Sequence, residues 1–326
     1  MLALKPVSVY SLHMSLRGQI KAACATHQGQ RRDHNEDYVR CWEPETEADE
    51  SQHGWVYIVA DGVGGADAGE VASQYATEQT LTHYFKNKET HDWGRRLVNA
   101  MQAANTDLRQ LVAVRNHNRR MATTMVAVVI QNDHAFVANV GDSRGYRWRD
   151  GQLKQITKDQ SLVAKLLEEG AITAEEAENH PRKNVILSSV GSEKRAQIDL
   201  FQITLQPQDI LVLCSDGLTR HVSDAEISEI ITRESPETAV NTLIDLANER
   251  GGEDNISVTI VQYAKEKPKE TAVSPAINTQ TRSTPIMAAA AAGTSSSDIP
   301  FLRQYTIMLT FLETALIFYF WYILQP

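Results

Sequence analysis

Along this chain aspartates stand at the ends of short, β-branched apolar runs, which limits how it can fold. Trp55–Ala60, Thr124–Ile130, Ala135–Val140, Ile210–Cys214 and Ile256–Gln262 are too short for core helices. Branched Cβ atoms pack well on a pleated surface, so these runs predict strands. Asp61 follows WVYIVA, Asp216 follows ILVLCS, Asp254 stands just before ISVTIV, Asp142 closes ANVGD, and Asp37 ends RRDHNED. A single Asp-Gly is ordinarily a turn. Several carboxylates stationed where buried strands emerge can meet at one locus without disturbing the core.

Helical periodicity fills the intervals. Gly69–Phe85 brings Val71, Tyr75, Ala76, Thr77 and Leu81 near one face, and Trp93–Val114 does so with Leu97, Met101, Ala104, Leu108 and Leu111. Asp224–Glu234 and Pro236–Glu249 form a further pair, each opened by a capping residue. Thr124–Ile130 and His134–Val140 predict a hairpin across Gln131–Asp133, and Asp150-Gly151 predicts the tip of another. The pattern predicts an α+β domain over residues 19–263, with packed sheets flanked by helices. Residues 159–197, two short helical stretches followed by PRKNVILSSVG, read as an insertion near a site.

The formal net charge of -9 makes nonspecific nucleic-acid binding a poor expectation. Cys24, Cys41 and Cys214 have no paired spacing, so no disulfide framework is expected and a reducing compartment fits. Residues 1–18 form an N-terminal extension without the apolar core of a secretory leader. Residues 264–304 are rich in Pro, Ser, Thr and Ala, as flexible linkers are. Tyr305–Leu324 is overwhelmingly apolar and long enough to span a hydrocarbon core of about 30 Å. Tyr319, Trp321 and Tyr322 suit an interfacial belt. Glu313 in mid-span favours the alternative, an amphipathic helix docked on the domain. Arg303 and the linker lysines precede the segment and no basic residue follows it. A single-pass anchor in the inner (cytoplasmic) membrane would therefore leave the folded domain facing the cytoplasm.

Carboxylates, carbonyls and waters suit Mn²⁺ or Mg²⁺, whereas zinc prefers His or Cys. Gly62 would let its carbonyl approach a cation, and Arg32 supplies a planar fork for phosphate oxygens. Two hard cations sharing a carboxylate can activate water and neutralise a phosphate together.

The elements RRDHNEDYV, VADGVGGADAGEVAS, MATTMVAVVI, ANVGDSRGYRWRDG, ITKDQSLV, HPRKNVI, DILVLCSDGLTRHVSD and GEDNISVTIV occur in one order from Thr26 to Val261. In this order they resemble the metal-dependent PPM/PP2C-type protein serine/threonine phosphatases, in particular the bacterial branch. The resemblance implies a four-layer αββα fold, with a central β-sandwich flanked by helices and the 159–197 insertion as a flap. It implies two or three Mn²⁺ or Mg²⁺ ions, with Asp61 bridging two of them and the Gly62 carbonyl on one. Asp216 and Asp254 would ligate directly, Glu36 and Asp37 would hold metal-bound waters, and Asp142 with Asp216 would hold a third ion. Arg32 would bind the substrate phosphate, with Asn255 supporting the ligands. Attack on phosphorus by a metal-bridging hydroxide, without a phosphoenzyme, follows from the same resemblance. So do phosphorylated Ser/Thr proteins as substrates and a cognate Ser/Thr kinase as counterpart. Val63 stands where many eukaryotic relatives carry a histidine, Ala122 replaces a frequent glycine and Gln160 a frequent histidine.

Two rival readings remain at this point. Cys214–Arg220 fits the C-x5-R spacing of cysteine phosphatases, but an aspartate inside that loop would repel the anion it must cradle. The other is a catalytically silent, membrane-tethered metal-binding scaffold.

Overall fold

The computed structural model describes residues 8–14, 20–64, 68–87, 91–114 and 121–264. The run Arg115–Arg120, Asp67, the linker and the candidate span at 305–324 lie outside the described residues. Strands β1 (Ser8–Met14), β2 (Ile20–His27) and β3 (Asp37–Trp42) lead into α1 (Glu47–His53) and β4 (Trp55–Val63). Helices α2 (Ala68–Lys86) and α3 (Trp93–Val114) follow, then β5 (Ala122–Thr123), β6 (Met125–Gln131), β7 (His134–Val140), β8 (Arg144–Arg149) and β9 (Gln152–Gln155). The insertion contributes α4 (Leu162–Glu168) and α5 (Ala174–Glu178) before β10 (Asp199–Thr204). Strand β11 (Ile210–Cys214), helices α6 (Asp216–Thr219), α7 (Asp224–Arg233) and α8 (Pro236–Glu249), and β12 (Ile256–Tyr263) complete the domain.

One sheet runs β1-β2-β12-β11-β8-β9, the other β10-β7-β6-β4-β3 with β5 on the end of β4. Alternation along the strands explains why both sheets are covered on both faces. On β4, Val56, Ile58 and Ala60 pack with Leu97, Met101 and Leu108 of α3, while Trp55, Tyr57 and Val59 join the cluster between the sheets. On β11, Ile210, Val212 and Cys214 pack with Leu243 and Ile244 of α8, while Leu211 and Leu213 face the inter-sheet cluster. A strand buried on both faces needs a layer on each side, and the result is helix, sheet, sheet, helix.

Both hairpins form as the turn chemistry predicts. Gln131 pairs with His134, with Asn132 at φ 54°. Asp150 and Gly151 join β8 to β9 at φ 49° and 82°, the left-handed pair that a tight hairpin needs. The buried face of α2 differs from the expected one. Ala72, Ser73, Ala76, Thr77 and Thr80 are buried beside Leu81, while Val71 and Tyr75 are only partly so. Small residues let the helix lie close to its neighbours, a preference that apolar periodicity does not register.

Arg96 of α3 is fully buried. Its guanidinium donates to the Tyr84 carbonyl at 2.7 Å, the Gln52 carbonyl at 2.8 Å and His53 Nδ1 at 2.8 Å, and lies 4.1 Å over the Tyr84 ring. It joins the ends of α1 and α2 to the start of α3, and burial lowers its pKa.

The cysteines depart from the sequence expectation. Cys24 of β2 and Cys41 of β3 meet between the two sheets, with Cα atoms 6.9 Å apart. A pairing between strands of different sheets leaves no signature in sequence spacing.

Candidate metal centre

The carboxylates gather at one edge of the sandwich because strand register brings them there. Asp37 opens β3 and pairs directly with Asp61 near the end of β4. Asp216 begins α6 just after β11, and Asp254 stands just before β12, the neighbouring strand. Asp142 lies in the turn between β7 and β8.

Neighbouring hydroxyls and amides hold these residues in place. The Asp61 carbonyl accepts from Thr124 N at 2.9 Å and Thr123 Oγ1 at 2.8 Å. The Glu36 carbonyl accepts from Gly62 N at 3.1 Å and Ser73 Oγ at 2.6 Å. A Cβ on Gly62 would stand only 2.6 Å from that same carbonyl, so no side chain fits. Asn255 Oδ1 accepts from Glu36 N at 2.8 Å, while its amide donates to the carbonyls of Gln28 and His34 at 2.8 and 2.9 Å. One side chain beside Asp254 thus shapes the whole loop that carries Arg32, Glu36 and Asp37. Ser215 Oγ donates to Asp37 Oδ2 at 2.8 Å. Gln160 Oε1 accepts from Gly141 N at 3.0 Å, and its amide donates to Asp199 at 2.8 Å, which steadies the turn bearing Asp142.

The electrostatics follow from crowding acids in a dry place. Burial, and then repulsion from Asp37, Asp216, Asp142 and Asp254, holds the Asp61 carboxyl well above its usual range. Burial pushes Asp37 up to about 7 against the hydrogen bonds from Ser257 and Ser215. Burial, then Asp216 and Asp159, pushes Asp142 up to about 7. Asp216 is raised by burial, opposed by Arg220, and Glu36 by burial, opposed by Arg32. Glu36 Oε1, Asp37 Oδ1, Asp142 Oδ1 and Asp216 Oδ1 are buried with no hydrogen-bond partner. Orphaned buried acceptors of one charge sign are expensive. A divalent cation satisfies them, and an all-oxygen set selects a hard one.

Among the described residues no three acidic, cysteine or histidine groups close a ready-made coordination sphere. Guanidinium groups hold two of the carboxylates instead. Arg32 reaches Asp254 Oδ1 at 2.8 Å from a half-exposed position. Arg220 donates to Asp254 Oδ2 at 2.8 Å and also to Asp216 Oδ2. The sequence reading passed over Arg220 as a site residue, although its position four residues after Asp216 puts it one helical turn away. Thr123, Thr124, Ser73 and Ser215 were also missed, since buried hydroxyls carry no spacing signal.

Cys214 is buried beneath α8 and burial pushes its thiol up to about 12. A thiol that stays protonated at neutral pH is no nucleophile, and Arg220 is engaged with carboxylates, so the C-x5-R reading falls. Beside the acidic cluster runs a groove of about 640 Å3 whose walls include Asp142, Ser161, Lys183, Asp216, Arg220 and Arg250. The helices of the 159–197 insertion and the α6–α7 turn thus face one another next to the carboxylates.

Known proteins share both the sequence and the fold of this domain. The chain matches the protein phosphatase 2C family over residues 26–254. It is 37% identical over 244 residues to the serine/threonine phosphatase stp of Listeria innocua, an alignment covering 73% of this chain and 93% of that protein. The crystal structure of the serine/threonine phosphatase Stp1 from Staphylococcus aureus is 34% identical with a TM-score of 0.69, covering 79% of this chain and all of that one. The catalytic domain of the phosphatase PstP, in complex with two manganese ions, is 32% identical with a TM-score of 0.64, covering 76% of this chain and 99% of that one. A match over most of the domain makes this chain a member of the protein phosphatase 2C family.

Proposed function

We propose that this chain hydrolyses phosphoserine and phosphothreonine in proteins, using Mn²⁺ or Mg²⁺. The observation that carries the reading is the set of buried, unpartnered carboxylate oxygens of Glu36, Asp37, Asp142 and Asp216 around Asp61, in a chain of the protein phosphatase 2C family. Asp61, the Gly62 carbonyl, Asp216 and Asp254 would hold the ions directly, Glu36 and Asp37 through water, and Asp142 with Asp216 a third. When bound, such ions supply a nucleophilic water at neutral pH and offset charge on the phosphate oxygens. Arg32, half-exposed at the mouth of the cluster, would orient the phosphate through its fork. Asn255 fixes the backbone at Glu36, and Ser215 holds one oxygen of the Asp37 carboxylate. The test is release of phosphate from phosphoserine and phosphothreonine peptides. Chelator should abolish it and Mn²⁺ should restore it, whereas turnover that survives chelation would overturn the metal-dependent reading. Manganese binding without turnover would instead favour the scaffold reading.

For the C-terminal part we propose an anchor at 305–324 in the inner membrane, with the catalytic domain in the cytoplasm opposing a membrane-associated Ser/Thr kinase. The support is the apolar length of that segment and the basic residues on its N-terminal side. Among the described residues no helix is long and apolar enough to cross a membrane. Fractionation checks the anchor. The full chain should sediment with membranes and a chain ending near 264 should not. Deleting the protein should raise Ser/Thr phosphorylation in the membrane fraction. Equal partitioning of the two chains sinks the anchor, and unchanged phosphorylation sinks the kinase pairing.

A further inference from the structure

We propose that Arg220 sets how tightly the Asp216–Asp254 position takes a divalent cation, by competing for the same carboxylate oxygens; the inference rests on the metal-holding role given above to those two residues. Arg220 Nη1 donates to Asp254 Oδ2 at 2.8 Å, and Nη2 donates to Asp216 Oδ2. Arg32 takes the other Asp254 oxygen at 2.8 Å. Guanidinium groups therefore cover both oxygens of Asp254 and one of Asp216, leaving the buried Asp216 Oδ1 unpartnered. A cation drawing on these carboxylates meets a fixed positive charge a few ångströms away, and repulsion between the two charges sets them in competition for the same acids. Arg32 touches one of these carboxylates, whereas Arg220 spans both, so Arg220 is the stronger competitor.

The side chain has somewhere to go. Arg220 caps the C-terminal end of the four-residue α6 and its side chain is 28% exposed. It also lines the 640 Å3 groove, whose walls include Asp142, Glu178 and Glu226. The groove is mixed in charge, with Lys183 and Arg250 beside these acids and Glu226 held by Arg250, so a withdrawn guanidinium keeps the Glu178 carboxylate and solvent within reach and its displacement is reversible. Arg220 thus acts as a counter-cation built into the chain: it relieves carboxylate repulsion when no ion is bound and yields when one arrives. The competition raises the ion concentration that loading requires.

The experiment measures Mn²⁺ binding to the full chain by calorimetry, and melting in chelator, for wild type, Arg220→Ala and Arg220→Lys. Arg220→Ala should bind Mn²⁺ roughly tenfold more tightly, yet melt roughly 2–4 °C lower in chelator, because the acids lose their counter-charge. Arg220→Lys, which keeps charge but loses the bidentate fork, should fall between on both readouts. A merely structural role would lower stability without tightening Mn²⁺. Binding no tighter than wild type in both variants, or a rise in chelator stability in Arg220→Ala, overturns the inference. Asp216→Asn separates the two levels. If it leaves Mn²⁺ affinity intact, the assignment of the metal position is wrong; if it abolishes binding while the Arg220 variants match wild type, only the competition is wrong.

Discussion

Asp61→Asn is expected to lower turnover roughly a thousandfold or more and, at the same time, to raise the melting temperature in chelator. The loss follows from the proposed metal-holding role, because an amide oxygen is a poorer ligand for a hard cation and carries no charge to offset it. The gain follows from the crowding of Asp61 by Asp37, Asp216, Asp142 and Asp254 in a buried cluster. Asparagine removes one of these mutually repelling charges and adds two donors among acceptors that lack them. A rise of roughly 3–6 °C is expected for a domain of this size.

The pH dependence has a definite sign. Asp37 and Asp142 titrate near 7 in the fold, against an ordinary carboxyl value of 3.8. Groups raised in this way favour the fold fully below 3.8, and that contribution is lost as pH rises through about 7. Wild type in chelator should therefore weaken as pH climbs across this window, and Asp61→Asn should show a shallower decline. Saturating Mn²⁺ should reverse the slope, since cations take the ionised carboxylates and release protons. Thermal melts at several pH values, with chelator and with Mn²⁺, supply the measurement. Substantial residual turnover in Asp61→Asn, or a lower melting point in chelator, would refute this account.

Arg96→Ala should do the converse, unfolding the domain easily while sparing the chemistry. Truncation removes the donor from the buried Tyr84 carbonyl, from the Gln52 carbonyl and from His53 Nδ1. It also removes the cation from the Tyr84 ring and opens a cavity in the cluster under α3. Losses of this kind cost about 3–5 kcal/mol together, or a fall in melting temperature of roughly 6–20 °C at this chain length. Arg96→Met, which keeps much of the volume, should lie between. The contacts sit beside Trp55 at the start of β4, and Asp61 lies six residues on, roughly 20 Å along an extended strand. At temperatures well below the melt, kcat should match wild type. A melting point within about 2 °C of wild type would show that the buried guanidinium is dispensable.

What sequence alone could show, and what it could not, divides along physical lines. The strands of β4, β6, β11 and β12 and the Asp150-Gly151 turn are local patterns, and the structure forms them where the periodicity and turn chemistry point. The convergence of Asp61, Asp142, Asp216 and Asp254 was legible because each sits at the end of a strand whose apolar run is unmistakable, whereas Asp37 opens the less apolar β3 and was marked only by the RRDHNED element. The supports were not. Asn255 reaches Glu36 across 219 positions and Ser215 reaches Asp37 across 178. Such pairs are made by packing two sheets, and a linear reading has no access to that. Cys24 and Cys41 failed to announce themselves for the same reason. Arg220 escaped differently: its carboxylate partners were both identified, but its own position was read as part of a nucleophile motif.

The place of β12 has a consequence for how the enzyme comes into being. The last described strand is not an edge; it lies between β2 and β11, and its leading residues bring Asn255 and Asp254 to a loop made more than two hundred residues earlier. During vectorial synthesis, Glu36, Asp37 and Asp61 leave the ribosome long before the segment that orients their loop exists. Until Ile256–Tyr263 inserts, the first sheet has a gap at its centre, so partly made chains hold acids without an organised site. Catalytic competence should therefore arrive in one late step, when the polypeptide closes on its own beginning.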